Sequence, residues 1–110
     1  MLFDKYTLNK TELRNRIVMA PMTRNMSPGG VPTQDVIDYY ERRARAKVGL
    51  IITEGIEVSH DASSAYPNVP RLDSDSSKDA WKALVNGIKA NDGAVIGQLW
   101  HCGGFRKPGM

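Results

Sequence analysis

The sequence predicts an α/β fold on a parallel sheet, and three observations lead there. Three short runs, Arg16 to Met22, Val48 to Gly55 and Ala94 to Leu99, are rich in Ile, Val and Leu without polar alternation, which is the pattern of strands buried on both faces. Two stretches with helical periodicity separate these runs. No internal repeat or low-complexity segment interrupts the order strand, helix, strand, helix, strand, so two right-handed crossovers follow. Either a doubly wound sheet or the first part of a (β/α)₈ barrel satisfies this order, and periodicity does not separate them.

Taken along the chain, Leu2 to Leu13 precedes the first strand, which ends in Ala20-Pro21-Met22-Thr23-Arg24. Pro21 removes a backbone donor and fixes φ, which suits a strand terminus, and Thr23 offers a hydroxyl just above the sheet. Alone, the segment reads as an ordinary strand exit. The first helix is expected over Thr33 to Lys47, with Val36, Ile37, Tyr40 and Ala44 on one face and the i,i+4 pairs Asp38–Arg42 and Glu41–Arg45 on the other. Thr33 is placed as its N-cap. The second strand ends in Thr53-Glu54-Gly55, where a glycine either lets a flat ring approach the backbone or merely turns the chain. The connection from Ile56 to Asp75, with Pro67 and Pro70, has the length of a lid or binding loop. A second helix is expected over Ser77 to Asn91, with Trp81, Leu84, Val85 and Ile88 inward, Ser76 and Asp79 as a capping box, and Gly93 as its stop. The third strand ends in Gly97-Gln98-Leu99-Trp100-His101. Gln98 carries both amide donors and a carbonyl acceptor, able to read a heterocycle edge that has both or simply to be solvated. Trp100 reads as core, and Gly103 to Met110 is a Gly-rich tail.

Composition excludes more than it identifies. The 110 residues are 41% apolar and 25% charged, as in globular proteins generally. Lys and Arg number 15 against 12 Asp and Glu, and Arg42, Arg43 and Arg45 are interleaved with Asp38 and Glu41; this is a solvated helical face, not a nucleic-acid patch. Met1 to Asp4 has no leader-like pattern, and no apolar run approaches the ~20 residues of a membrane span, so a soluble, cytoplasmic protein is expected. The single cysteine, Cys102, forms no internal disulfide. Its neighbour His101 raises a metal pair or a nucleophile and base, but no further His or Cys cluster follows, and His60 reads as a solvated loop residue. Met26-Ser27-Pro28-Gly29-Gly30 lacks the G-x-G-x-x-G spacing, and neither a Walker-type motif nor zinc-ligand spacing occurs.

Jointly, the strand ends and their flanks resemble the old yellow enzyme family of NADH:flavin oxidoreductases. The resemblance runs through Leu2-Phe3, Leu13 to Arg24, Tyr39-Tyr40, Gly49 to Gly55, Pro67-Asn68-Val69-Pro70 and Gly97 to His101, in the family's order over nearly the whole chain. It implies the N-terminal part of a TIM (β/α)₈ barrel that holds FMN at its C-terminal face. On this reading residues 1–110 are a single partial domain, with 1–15 closing the barrel's N-terminal end and 16–110 supplying the first three strands and two helices. Ala20, Pro21, Met22 and Thr23 would line the flavin, with the Thr23 hydroxyl at the flavin O4. Gly55 would lie beside the ring, and Gln98 would bind the pyrimidine edge. The family takes hydride from NADPH or NADH onto FMN and passes it to an activated alkene such as an enone. Thr23, where some branches carry cysteine, resembles the branch of the yeast and plant alkene reductases. After Gln98-Leu99-Trp100-His101, Gly103 is followed by Gly104 and Phe105-Arg106-Lys107-Pro108, where the family has glycine and arginine.

A TIM barrel needs ~250 residues, with its phosphate site after strands 7 and 8. The family's substrate-gripping His pair or His/Asn pair, its proton-donating tyrosine and its phosphate-binding groups are therefore expected beyond residue 110, with no catalytic residue inside the chain. Two functions follow: an FMN-dependent alkene oxidoreductase present as an incomplete chain, or a catalytically inactive product serving as a binding or assembly partner or surviving as a remnant. Uncovered strand edges are expected to promote self-association.

Overall fold

The computed structural model describes residues 1–110 and sets a short hairpin beside an open parallel sheet. The hairpin pairs β1 (Tyr6–Leu8) antiparallel with β2 (Thr11–Leu13). Its turn includes Asn9 at φ 56°, a conformation in which Asn is well tolerated. The main chain then runs β3 (Val18–Met19), α1 (Gln34–Arg45), β4 (Leu50–Glu57), α2 (Asp75–Ala90) and β5 (Ala94–Trp100). Strand order is β3-β4-β5, all parallel, as the two-crossover pattern predicts.

The apolar faces of both helices close over one side of the sheet. Val36, Tyr40 and Ala44 of α1 and Trp81, Leu84 and Ile88 of α2 form one core with Ile51 and Ile56 of β4. Each such large side chain contributes about 1.5–3 kcal/mol by leaving water. Gly93 is required where α2 returns to the sheet: a Cβ there would stand 2.7 Å from Ile88 Cγ2 and 3.2 Å from Ala44 Cβ. The opposite sheet face is only partly covered: Leu50 and Glu57 are buried there, but the middle of the face is open. Val18 and Ile96 point that way and remain 47% and 45% exposed, far from the double burial that their strands' composition suggests. No helix is long and apolar enough to cross a membrane.

Several local expectations are corrected. The first strand pairs only at Val18 and Met19 rather than over Arg16 to Met22, because the chain leaves the ladder ahead of Pro21. The helix α2 begins earlier than Ser77: the reciprocal capping box is Ser74 with Ser77, not Ser76 with Asp79. Thr33 is the N-cap of α1 by position, but its hydroxyl donates to the Met26 carbonyl instead of capping. On α1, Asp38 accepts from Gln34, and the ion pairs Asp38–Arg42 and Glu41–Arg45 do not form. Arg43 instead lies over the Tyr39 ring, 3.5 Å from its centroid. The residue in the left-handed conformation after α2 is Asp92 at φ 56°, while Gly93 N–H bonds the Ile88 carbonyl.

One side chain gathers the ends of these elements. Arg14 Nη2 donates to the Ala44 carbonyl in the last turn of α1 (2.5 Å) and to Val48 (2.9 Å), Nε donates to Val48 (3.2 Å), and Nη1 donates to Asn91 at the C-cap of α2 (2.7 Å). Carbonyls at helix C-termini lack intrahelical donors, and a cation there also opposes the helix dipole. Lysine carries the charge but not the planar fork. Arg14→Lys is therefore expected to lower unfolding stability by about 2 kcal/mol, read as a shift of the urea midpoint; an unchanged midpoint would refute the anchoring role.

Candidate functional site

The carboxyl ends of β3, β4 and β5 form the site, and a bulge in β4 decides what faces it. Ile52 pairs with Ile96, but the next partners are Gly55 and Gln98, so β4 spends three residues where β5 spends two. Ladder neighbours point to the same side, and strands alternate with period two. Without the extra residue Gly55 would face the helices; with it, Gly55 joins Gln98 on the face carrying Ile52 and Ile96. Thr53 stitches the irregularity: its buried hydroxyl accepts the Gln98 N–H at 3.2 Å and donates to the Glu54 carbonyl at 2.9 Å. The strand does not end at Gly55, as its sequence suggests, but continues to Glu57, where Arg71 bridges it from the long connection.

A second set of contacts brings the first strand's exit to β4. Glu54 is wholly buried. Its Oε2 accepts the Arg24 N–H at 3.1 Å, and its own N–H donates to the Tyr40 hydroxyl at 2.7 Å. Glu54 Oε1 has no hydrogen-bond partner. Burial raises the Glu54 carboxyl above its ordinary value, opposed by the Arg24 N–H and by the Arg24 charge. Tyr40 is pushed up to about 12, chiefly by burial, so it stays a neutral hydroxyl. The Arg24 guanidinium lies 3.5 Å from the Tyr39 ring centroid, on a ring that Arg43 also contacts.

The six residues singled out by sequence fall as follows. Gly55 and Gln98 are direct partners in the ladder. Ala20, Pro21, Met22 and Thr23 follow β3 outside the ladder, with Ala20, Met22 and Thr23 exposed and Pro21 half-buried. Neither the Thr23 hydroxyl nor the exposed Gln98 carboxamide is engaged by another residue of the chain. Gly55 is buried for a specific reason: a Cβ would stand 2.2 Å from the Trp100 ring. The flat ring against this glycine is thus an indole of the same chain. Trp100 is half-buried rather than core and stacks on Tyr66 of the long connection, with centroids 5.6 Å apart and planes at 15°.

Sequence reasoning placed Tyr40 on the inward face of the first helix but gave neither it nor Thr53 or Glu54 a role at the strand ends. The available signal was a carboxylate inside the apolar run Leu50-Ile51-Ile52-Thr53-Glu54-Gly55-Ile56, since a charge in a doubly buried strand needs a partner. His101 and Cys102 do not work together. His101 Nδ1 accepts from the Gly103 N–H, and burial, with the Glu57 charge, raises the Cys102 thiol, which keeps it protonated and unreactive. His60 is more than a solvated residue: its Nδ1 accepts the Ala62 N–H and caps a short 3₁₀ turn.

Comparison with known proteins adds an independent line. The model of the NADH:flavin oxidoreductase / NADH oxidase family matches residues 1–107. The chain is 40% identical over 102 residues to 12-oxophytodienoate reductase 7 of Oryza sativa subsp. japonica, covering 93% of this chain and 25% of that protein. It is 35% identical over 102 residues to 12-oxophytodienoate reductase 2 of Arabidopsis thaliana, covering 93% and 27%. Among solved structures, an old yellow enzyme from a Pichia species superposes with TM-score 0.90 at 32% identity over 97% of this chain and 28% of that one. Morphinone reductase in complex with tetrahydroNAD superposes with TM-score 0.87 at 35% identity over 96% and 28%. The chain thus spans about a quarter of the length of the relatives it matches. The superpositions settle the choice that periodicity leaves open: these elements are the N-terminal portion of a (β/α)₈ barrel, and the barrel is not closed within this chain.

Two outcomes follow from the geometry. Thr53→Val removes the acceptor of the Gln98 N–H and is expected to cost about 1–3 kcal/mol, whereas Thr53→Ser restores most of it; equal denaturation midpoints for the two variants would contradict the stitching role. Because the folded-state pKa of Glu54 is raised, its contribution to stability is fully present below the ordinary carboxylate range and is lost as pH rises through the raised value. Glu54→Gln, which cannot ionise, should match the native chain in acid and exceed it in stability at neutral pH; urea titrations at both conditions decide this.

Proposed function

The chain belongs to the NADH:flavin oxidoreductase / NADH oxidase family, and on that premise we propose that it forms one wall of the FMN site of an NAD(P)H-dependent reductase of activated C=C bonds. Family members are FMN-dependent oxidoreductases. The observation that carries the reading is the pairing of Gly55 with Gln98 on the sheet face away from the helices, beside the segment that Glu54 holds against β4. The donor set there fits a flavin. Gln98 offers an exposed amide with donors and an acceptor, matching the mixed edge of the pyrimidine ring, and Thr23 offers an exposed hydroxyl.

FMN, when bound, supplies the hydride relay between NAD(P)H and an enone-like alkene. The chain's own residues bind and orient. Gln98 would hold the pyrimidine edge in register, and the Thr23 hydroxyl would donate to the flavin O4. Ala20, Pro21 and Met22 would form an apolar wall that keeps water from the ring, and Gly55 would lie beside it by seating the Trp100 indole against the backbone. Residues 1–15, including the hairpin, would close the N-terminal end of the barrel, with 16–110 making up its first three strands and two helices. No residue of this chain is assigned to gripping substrate or delivering a proton. The uncovered Val18 and Ile96 and the unpaired outer edges of β3 and β5 support self-association of the chain in isolation.

The test is titration of FMN with the chain, read by flavin fluorescence anisotropy. Tight binding would show that the strands beyond residue 110 are not needed to hold flavin, and Gln98→Leu should weaken the binding about tenfold through the loss of hydrogen bonds to the ring edge. Equal titration curves for native and Gln98→Leu chains would remove Gln98 from the flavin site. A folded chain that leaves FMN anisotropy unchanged would favour a non-enzymatic binding or assembly role.

A further inference from the structure

We propose that Glu54 is the positioning residue of the Ala20–Thr23 wall: its buried carboxylate holds the Arg24 peptide N–H and so fixes where the Thr23 hydroxyl stands. This rests on the reading of Thr23 as a flavin-facing group.

The chain leaves the β3–β4 ladder after Met19, so sheet pairing does not determine the path of Ala20 to Arg24. The hydrogen bond from Arg24 N–H to Glu54 Oε2 at 3.1 Å returns it to β4. A peptide unit is planar; fixing the Arg24 N–H therefore fixes the Thr23 carbonyl and limits the rotation that carries the Thr23 side chain. The clamp is rigid at its other end. The Glu54 N–H is held by the Tyr40 hydroxyl at 2.7 Å, and Tyr40 lies wholly buried in the core between α1 and β4. With Glu54 at 0% exposure, water cannot replace the carboxylate as acceptor.

Burial makes this residue costly. One carboxylate oxygen, Oε1, is buried without a partner, and a fully buried position serving packing alone is more stably filled by Leu or Ile. A carboxylate here reaches what a strand backbone does not, since the β3–β4 ladder ends at Met19 and Ile51. The bulge in the β4–β5 ladder sets Gly55 against Gln98. Neighbouring residues of β4 thereby organise both sides of the candidate site, Thr53 toward β5 and Glu54 toward the exit of β3.

The experiment is residue-resolved hydrogen exchange, with FMN titration, on the native chain, Glu54→Gln and Glu54→Leu. In the native chain the Arg24 amide should be protected. Glu54→Leu should release it, with exchange about tenfold faster or more while amides of α1 and α2 hold within about twofold; Glu54→Gln, which keeps an acceptor, should retain protection. FMN affinity should follow the same order, about tenfold weaker in Glu54→Leu and near native in Glu54→Gln. Unchanged Arg24 exchange in Glu54→Leu, or equal loosening in Glu54→Gln, would overturn the clamp. Should Glu54→Leu fail to fold, an unprotected Arg24 amide in the native chain still overturns it. FMN failing to bind a native chain whose Arg24 amide is protected would sink the flavin reading alone, so the two failures are distinct.

Discussion

Arg14 sets the starting point from which the rest of the sheet is counted. Its guanidinium satisfies carbonyls at the end of α1, at the entry to β4 and at the C-cap of α2, and these segments lead directly into the N-terminal ends of β4 and β5. Strand register propagates residue by residue, and a slip of one position moves every side chain to the opposite face. Anchoring both strands at one end therefore specifies which residues meet at the other. The anchor sits at the opposite end from the candidate site, the division between stability and chemistry that parallel barrels show.

At the carboxyl ends, polar side chains take over from the ladder. The bulge in β4 removes a regular backbone partner from the Gln98 N–H, and Thr53 supplies a hydroxyl in its place. Glu54 does the same for the Arg24 N–H, and Tyr40 does it for Glu54 itself. Each of these three donors finds an acceptor, but the acceptors belong to side chains. Bulges recur beside functional sites because they redirect side chains without ending a strand. Here the redirected residue is Gly55, and the space it leaves is taken by Trp100, which Tyr66 of the long connection covers. The connection from β4 to α2 is thereby tied to the site by aromatic stacking and by the bridge between Arg71 and Glu57.

The sheet is fully covered on one face and only partly on the other. The helices bury Ile51 and Ile56, while Val18 and Ile96 stay half exposed, although Ile51, Val18 and Ile96 all belong to apolar runs of the same kind in the sequence. Family structures that superpose on this chain extend over more than three times its length, which accounts for strands composed for burial on both sides. The composition of a strand records the environment of a closed barrel; the open face records how much of that barrel this chain contains.

Strand-helix alternation, the core positions of both helices and the order of the strands were legible in the sequence, because hydrophobic periodicity is a local property that tertiary packing reinforces. The family was legible too, since Arg16 to Arg24, Gly49 to Gly55 and Gly97 to His101 occur in one order. Other features depended on contacts between residues distant in sequence. Whether Asp38 pairs with Arg42 or with Gln34, and whether Ser74 or Ser76 caps α2, turned on competition among near-equal polar partners that spacing does not rank. The bulge, the Thr53 hydroxyl beneath Gln98 and the Glu54 carboxylate on Arg24 bring together residues 30 to 45 positions apart. The sequence by itself determined which residue types stand at the strand ends. Only the tertiary structure decided which of them face each other, because one extra residue in β4 inverts the alternation, and its place is set by long-range hydrogen bonds rather than by local pattern.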